Sequence, residues 1–336
     1  MRAQVREWRE HGALICHGVW PAELIEECRG ELFEMAPPPP PELAGASMEE
    51  LQEWSQSPAA RGRKPGGARK FPFDEDQPFN SIPLHPRAIR AAGQLLGMAD
   101  VRLTQAGLGD KIGTGEPAPV GTEAFGRSHG NQPFHQDYGN NYLSVPPPTA
   151  GTGAGPSEAV ACILYYTDVE DSGGPTAFVQ GHVADTELPD IVARKFAGPG
   201  LQEPFNRKHQ PEGWPDVYAQ ERWPAYRRGT AIFYRQDTWH RGTPCRPGGR
   251  RWVHHLVWRR ADCPWISWDD GYARTCADLP WLIPSLTPVQ RCVLGFPAPG
   301  SSYWTESTLA GVAERYGAQM DMVRLAPCLK SCAPAS

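Results

Sequence analysis

No stretch of this 336-residue sequence is apolar for long enough to cross a bilayer. The longest apolar run, Ala159 to Tyr166, has only the length of a buried strand. The N-terminal MRAQVREWREHG alternates charge and has no hydrophobic centre, so it does not read as a secretory signal. Positive charge is not in excess. The formal net charge of −5 speaks against nucleic acid or an anionic membrane as a partner. The nine cysteines are an odd number, scattered, and form no disulfide framework. Reduced thiols in a cytoplasmic protein are the expectation. Cys328 and Cys332 make a lone C-x-x-x-C, too little to define a zinc site. No internal repeat is present.

Proline and glycine, in contrast, are plentiful at 36 and 35 residues, which disfavours a helical bundle. The length suits one elaborated domain over 1–336, in three parts. Residues 1–100 read as mostly helical. Pro21 can open a helix carrying Leu24, Ile25, Cys28 and Leu32 on one stripe. The prolines from Pro37 end it, Ser47 and Glu50 fit a capping box, and Ser57 to Lys70 reads as a surface loop. Pro86 to Leu96 reads as a helix stopped by Gly97.

Residues 101–262 change period. "VRLTQAGL", "AVACILYY", "TAFV", "GTAIFYR" and "RRWVHHLVW" are short, rich in β-branched and aromatic residues, and bounded by Gly, Pro or Asp. Their irregular linkers do not fit a βαβ repeat, and an antiparallel sandwich or jelly roll is expected. Residues 263–336 read as a helical extension. Thr287-Pro288 opens one helix, and Leu309, Val312, Ala313 and Tyr316 form a stripe on another.

In "FHQDYGNNYL", His135 and Asp137 are two residues apart, and on a strand they would share a face. One imidazole and one carboxylate suit an edge of a divalent metal's shell, and a 2-His-1-carboxylate site needs a second histidine from elsewhere. Alone, the pair reads equally as a surface hydrogen bond. Downstream, His240 lies in a turn between two strands, and the next strand opens with Arg250 and Arg251. A guanidinium matches a carboxylate through two parallel hydrogen bonds.

These features resemble the phytanoyl-CoA dioxygenase-like Fe(II)/2-oxoglutarate oxygenases. That group includes phytanoyl-CoA and ectoine hydroxylases and many natural-product tailoring enzymes. "REHGALICHGVWPAELIEECR" is similar to the family's N-terminal segment, and "FNSIPLHPRAIRAAGQLLG" to its helix before the barrel. "LTQAGLGDKIGTG" followed by "PFHQD" is similar to the strands leading into its metal motif. "DVEDSGGPTAFVQGHV" resembles its acidic turn and glycine-rich strand, and the eleven residues from His240 to Arg251 match its spacing. The resemblance implies a double-stranded β-helix (jelly roll) with flanking helices. It implies His135, Asp137 and His240 as iron ligands, Arg251 on the far carboxylate of 2-oxoglutarate, and Gln105 and Lys111 nearby. Where the family has Ser or Thr two residues after the distal histidine, this chain has Gly242, and Thr243 is the candidate replacement.

The implied reaction consumes 2-oxoglutarate and O2 and hydroxylates, desaturates or cyclises a small-molecule substrate at an unactivated C–H bond. Related halogenases carry Gly or Ala where Asp137 stands, so halogenation is not expected. The alternative is a non-catalytic metal-binding jelly roll, either a small-molecule sensor or an inactive relative. His254 and His255 are neighbours on a strand and face opposite ways; if Arg251 points inward, so does His255. His182, in "VQGHV", has no assigned role. The Pro/Gly-rich 145–158 reads as a surface loop or a lid. The oligomeric state, monomer or homodimer, is open.

Overall fold

The computed structural model describes residues 2–60, 69–117, 131–132, 134, 157, 159–179, 217–235, 238–261, 282–294, 296 and 298–300. Two antiparallel sheets face each other. The larger has the order β1-β6-β3-β8-β2, built from β1 (Ala13–His17), β2 (Val101–Ile112), β3 (Ala159–Tyr165), β6 (Thr230–Arg235) and β8 (Arg250–Arg260). The smaller has the order β5-β4-β7, from β4 (Thr176–Val179), β5 (Glu221–Arg222) and β7 (His240–Gly242). This is the jelly-roll core with flanking helices that the strand pattern implied.

Strand alternation builds two separate cores. On β3, Ala159, Ala161, Ile163 and Tyr165 face the smaller sheet, where they meet Phe178, Tyr226, Ile232, Tyr234, Val253 and Val257. Val160, Cys162 and Leu164 face the opposite way. There they join Phe233, Trp252, Leu256 and Trp258 under helices that include α1 (Arg2–His11), α2 (Ala22–Met35) and α4 (Pro86–Leu96). On α4, His85 caps the N-terminus, Pro86 takes the first turn and Gly97 closes it with φ 68°. The helix α3 (Met48–Gln56) opens with a complete capping box between Ser47 and Glu50.

Strand β2 contains the irregularity that matters for function. Its pairing with β8 slips between Leu103 and Gln105. Before the bulge Val101 and Leu103 join the helix-side core, and after it Ala106 and Leu108 do. The extra residue, Thr104, therefore turns Gln105, Gly109 and Lys111 toward the other sheet.

One strand lies where the sequence reads as helical. Residues 13–17 form β1, which pairs with β6 in the register Ala13↔Tyr234 to His17↔Thr230. The expected helix carrying Leu309 to Tyr316, Cys328 and Cys332, and the 145–158 segment lie outside the described residues. Among the described residues no helix is long and apolar enough to cross a membrane.

The helix-side core holds a fully buried imidazole. His254 shares a 3.1 Å hydrogen bond with the Tyr166 hydroxyl and meets Phe73 edge-on, while its Nε2 has no partner among the described residues. Burial, with a smaller push from His255, lowers its pKa from 6.5 to about 3. The unfolded chain takes up this proton below about pH 6.5 and the folded chain does not until about pH 3. Stability is therefore complete above that window and falls as pH drops through it, by at most about 1.4 kcal/mol per pH unit. Urea unfolding at several pH values across this window should show a steeper loss in the wild type than in His254→Leu, by close to one proton. Parallel slopes would contradict the assignment.

Candidate functional site

Between the sheets lies a cavity of about 260 Å³. Strands β2 and β8 supply one wall in the register Lys111↔Arg251, Gly109↔Val253 and Gly107↔His255. Alternate residues of β8 face inward, so Arg251, Val253, His255 and Val257 line the cavity, while Arg250 and His254 point the other way. Gly109 gives the His255 ring its space, since a Cβ there would come within 3.0 Å of Nε2.

The two adjacent arginines illustrate what the alternation does. Arg250 donates to Asp110 Oδ2 at 2.6 Å and to the Pro37 carbonyl at 2.7 Å, and its charge is neutralised on the outer face. The Arg250 and Arg69 guanidiniums, set against burial, leave the Asp110 carboxyl below its ordinary value. Arg251 is 6% exposed and donates to the Gly174 carbonyl. It lies 6.0 Å from the centre of the Tyr165 ring, which stacks on Tyr226 at 3.9 Å. Among the described residues Arg251 has no carboxylate partner, and its buried Nε has no hydrogen-bond partner. Gly173 and Gly174 adopt φ 62° and 64°, and a Cβ on Gly174 would meet Cys245 Sγ at 2.7 Å. Only glycine presents that carbonyl to Arg251 without a clash.

Beside Arg251 is a second buried cation. Lys111 is 2% exposed and its Nζ donates to the Thr243 carbonyl at 3.0 Å. Burial first, and then the Arg251 guanidinium, pull its pKa from 10.5 to about 7. Among the described residues lining the cavity, Asp110 is the one acid, and it commits its carboxylate to Arg250 and Arg69. Among the described residues this end of the cavity carries two basic side chains and no uncommitted carboxylate.

Opposite stands His240, at the start of β7 and 5% exposed. Its Nδ1 lies 2.9 Å from the Thr238 carbonyl. A carbonyl can only accept, so Nδ1 carries the hydrogen and Nε2 of the neutral ring keeps its lone pair. Phe178 and Tyr234 hold the ring at centroid distances of 5.9 and 4.7 Å. An imidazole fixed this way is suited to bind a metal through Nε2.

The structure thus brings His240, Arg251, Lys111 and Gln105 to one cavity. Thr243 is turned away: it is not among the lining residues, and its hydroxyl donates to the Pro175 carbonyl at 2.6 Å. His135, Asp137 and His182 lie outside the described residues. Among the described residues no three His, Cys, Asp or Glu gather where a metal could sit. Gln132, Thr176 and Tyr234 also line the cavity, and nothing in their local sequence marks them. Gly242 proves to be a space rather than a loss. A Cβ there would meet Gln132 Oε1 at 2.6 Å and Lys111 Nζ at 2.9 Å, so these two groups occupy the place of a side chain.

No family model matches the chain, and no curated protein does. Solved structures of similar shape include the non-heme alpha ketoglutarate dependent carbocyclase SnoK from nogalamycin biosynthesis. It is 18% identical over 82% of this chain and 90% of that chain, with a TM-score of 0.45. The non-heme alpha ketoglutarate dependent epimerase SnoN, from the same biosynthesis, is 16% identical over 77% and 83%, at 0.44. HygX from Streptomyces hygroscopicus, solved with nickel and 2-oxoglutarate bound, is 14% identical over 78% and 88%, at 0.45. At such identities and TM-scores the likeness carries no weight for function.

A lysine buried beside a guanidinium costs the folded state free energy while it is charged. Lys111→Met should therefore stabilise the unliganded protein. The gain is full below about pH 7 and shrinks as pH rises toward 10.5, where the unfolded lysine also loses its proton. Thermal melts near the two ends of that window should show a higher melting temperature for the variant, with the larger increase at the lower pH. A destabilised variant at neutral pH would contradict the account.

Proposed function

We propose that this protein is an Fe(II)/2-oxoglutarate-dependent oxygenase of the phytanoyl-CoA dioxygenase-like kind, acting on a small molecule. The observation that carries this reading is Arg251: a buried guanidinium, without a carboxylate partner among the described residues, in one cavity with His240. In this reading His135, Asp137 and His240 hold the metal. His135 is bonded directly to Phe134, which lies beside β7. Bound there, Fe(II) supplies the activation of O2 that oxidises the substrate.

The chain's own groups do the remaining work. Arg251 clamps the far carboxylate of 2-oxoglutarate, and Lys111 adds a second positive charge beside it. Gly174 and the Tyr165–Tyr226 stack hold the guanidinium at the cavity end. The Thr238 carbonyl keeps His240 in the tautomer a ligand needs. The apolar wall of Ile163, Val253 and Val257 keeps water from the reacting groups. The balance is one substrate C–H, one O2 and one 2-oxoglutarate giving one C–OH, succinate and CO2. Desaturation or cyclisation would follow from the same hydrogen removal. A metal-binding sensor would use His240 equally well, but would have no need of the cationic end.

Without its substrate, such an enzyme turns 2-oxoglutarate slowly into succinate, and that uncoupled rate is measurable. Arg251→Ala should raise the KM for 2-oxoglutarate about 10- to 100-fold, the equivalent of losing a charged hydrogen-bonded pair worth about 1.5–3 kcal/mol. Arg250→Ala should lower the melting temperature, because Asp110 loses its nearer partner, and leave KM unchanged. The reverse pattern, or no succinate from the wild type, would overturn the assignment.

A further inference from the structure

The electropositive cavity accounts for the co-substrate, but not for what brings the two halves of the metal site together. His240 follows the segment holding His135 by most of the core, and closing so long a loop costs entropy that local contacts must offset. Asn131, Gln132 and Phe134 are fastened to β7 by contacts made largely through side chains.

Gln132 makes two of them. Its backbone N–H donates to the Gly242 carbonyl at 3.0 Å, and its side-chain Oε1 accepts from the Gly242 N–H at 2.8 Å. The amide side chain thus stands in for a backbone carbonyl in an antiparallel pair. Pro133 follows and has no N–H with which to continue a ladder. Gly242 is what lets the amide approach, as any Cβ there would collide with it.

Arg241 makes the rest. It faces away from the cavity between His240 and Gly242, which face in. Its fork binds Glu221 of β5 at 2.8 and 3.1 Å, and its remaining nitrogen donates to Asn131 Oδ1. The guanidinium carbon lies 5.5 Å from the ring centres of both Phe134 and Tyr218. Those two rings meet edge-on at 4.9 Å, and Phe134 is fully buried. One arginine, one residue from His240, thus grips the segment that ends one residue before His135.

We propose that Gln132 and Arg241 are positioning residues that hold the chain entering His135-x-Asp137 against the strand carrying His240, and so set the metal affinity of the site. This rests on the oxygenase reading of that site. Groups that orient ligands without touching the metal typically change metal affinity 10- to 100-fold when removed. Glu221 acts through Arg241, since a buried fork fixed on a carboxylate has one orientation.

Mn(II) titration followed by electron paramagnetic resonance reads metal affinity without any turnover. The wild type should bind one Mn(II), and His240→Ala should lose it. Gln132→Leu, Arg241→Lys and Glu221→Gln should weaken binding about 10- to 100-fold. Gln132→Glu keeps an acceptor for the Gly242 N–H and should restore affinity to within about threefold of wild type. Should the Arg241 variant fail to fold, Glu221→Gln and the two Gln132 variants still decide the matter. Wild-type protein that binds no Mn(II) would sink the oxygenase reading and the clasp with it. Wild-type binding with unchanged affinity in Gln132→Leu and Glu221→Gln would leave that reading standing and overturn the clasp. A Gln132→Glu variant as weak as Gln132→Leu would also overturn it.

Discussion

A guanidinium buried inside a closed sandwich is the constraint on which the rest of this structure depends. Burying a charge without a counter-charge costs several kcal/mol, and proteins carry such a cost where function requires it. Arg250 and Arg251 are covalent neighbours and share one strand, yet their surroundings are opposite. Arg250 reaches a carboxylate on the outer face, whereas among the described residues Arg251 reaches a carbonyl and an aromatic ring within the cavity. The carbonyl comes from a turn that requires two glycines, and the ring is locked by a second ring. The protein has committed local structure to holding in place a cation that has no carboxylate partner among the described residues. In the proposed function an anionic ligand takes that place, with the buried Lys111 beside it.

The second organising feature is the division of labour along β7. His240 and Gly242 face the cavity, and Arg241 faces out. One strand of three residues therefore supplies a candidate metal ligand, the space for Lys111 and Gln132, and an anchor for a distant segment. Short strands can carry this much because alternation puts unlike tasks on opposite faces without conflict.

Much of this was legible in the sequence. The α4 boundaries follow from Pro86 and Gly97, and the α3 cap from Ser47 and Glu50, because capping chemistry is local. The opposite orientations of Arg250 and Arg251, and of His254 and His255, follow from a period of two. What escaped depends on partners far along the chain. β1 is five residues long and, among the described residues, pairs with β6 alone. The Thr104 bulge is visible only as a slip against β8. Gly242 stood out as a departure from the family pattern, but its meaning required Gln132 and Lys111, both remote in sequence. Thr243 looked like the natural substitute, yet a one-residue step on a strand turns a side chain to the other face, and Pro175 holds its hydroxyl there.

Binding of a dicarboxylate beside a metal in this cavity is the most direct property to measure. Fe(II) and 2-oxoglutarate added together without oxygen report this directly, because chelation of the metal by the 2-oxo acid produces a weak visible charge-transfer band. The wild-type protein should develop the band at saturable 2-oxoglutarate concentrations, and Arg251→Ala should need far more of the acid to reach the same intensity. A wild-type protein that stays colourless with both components in excess would contradict the central claim.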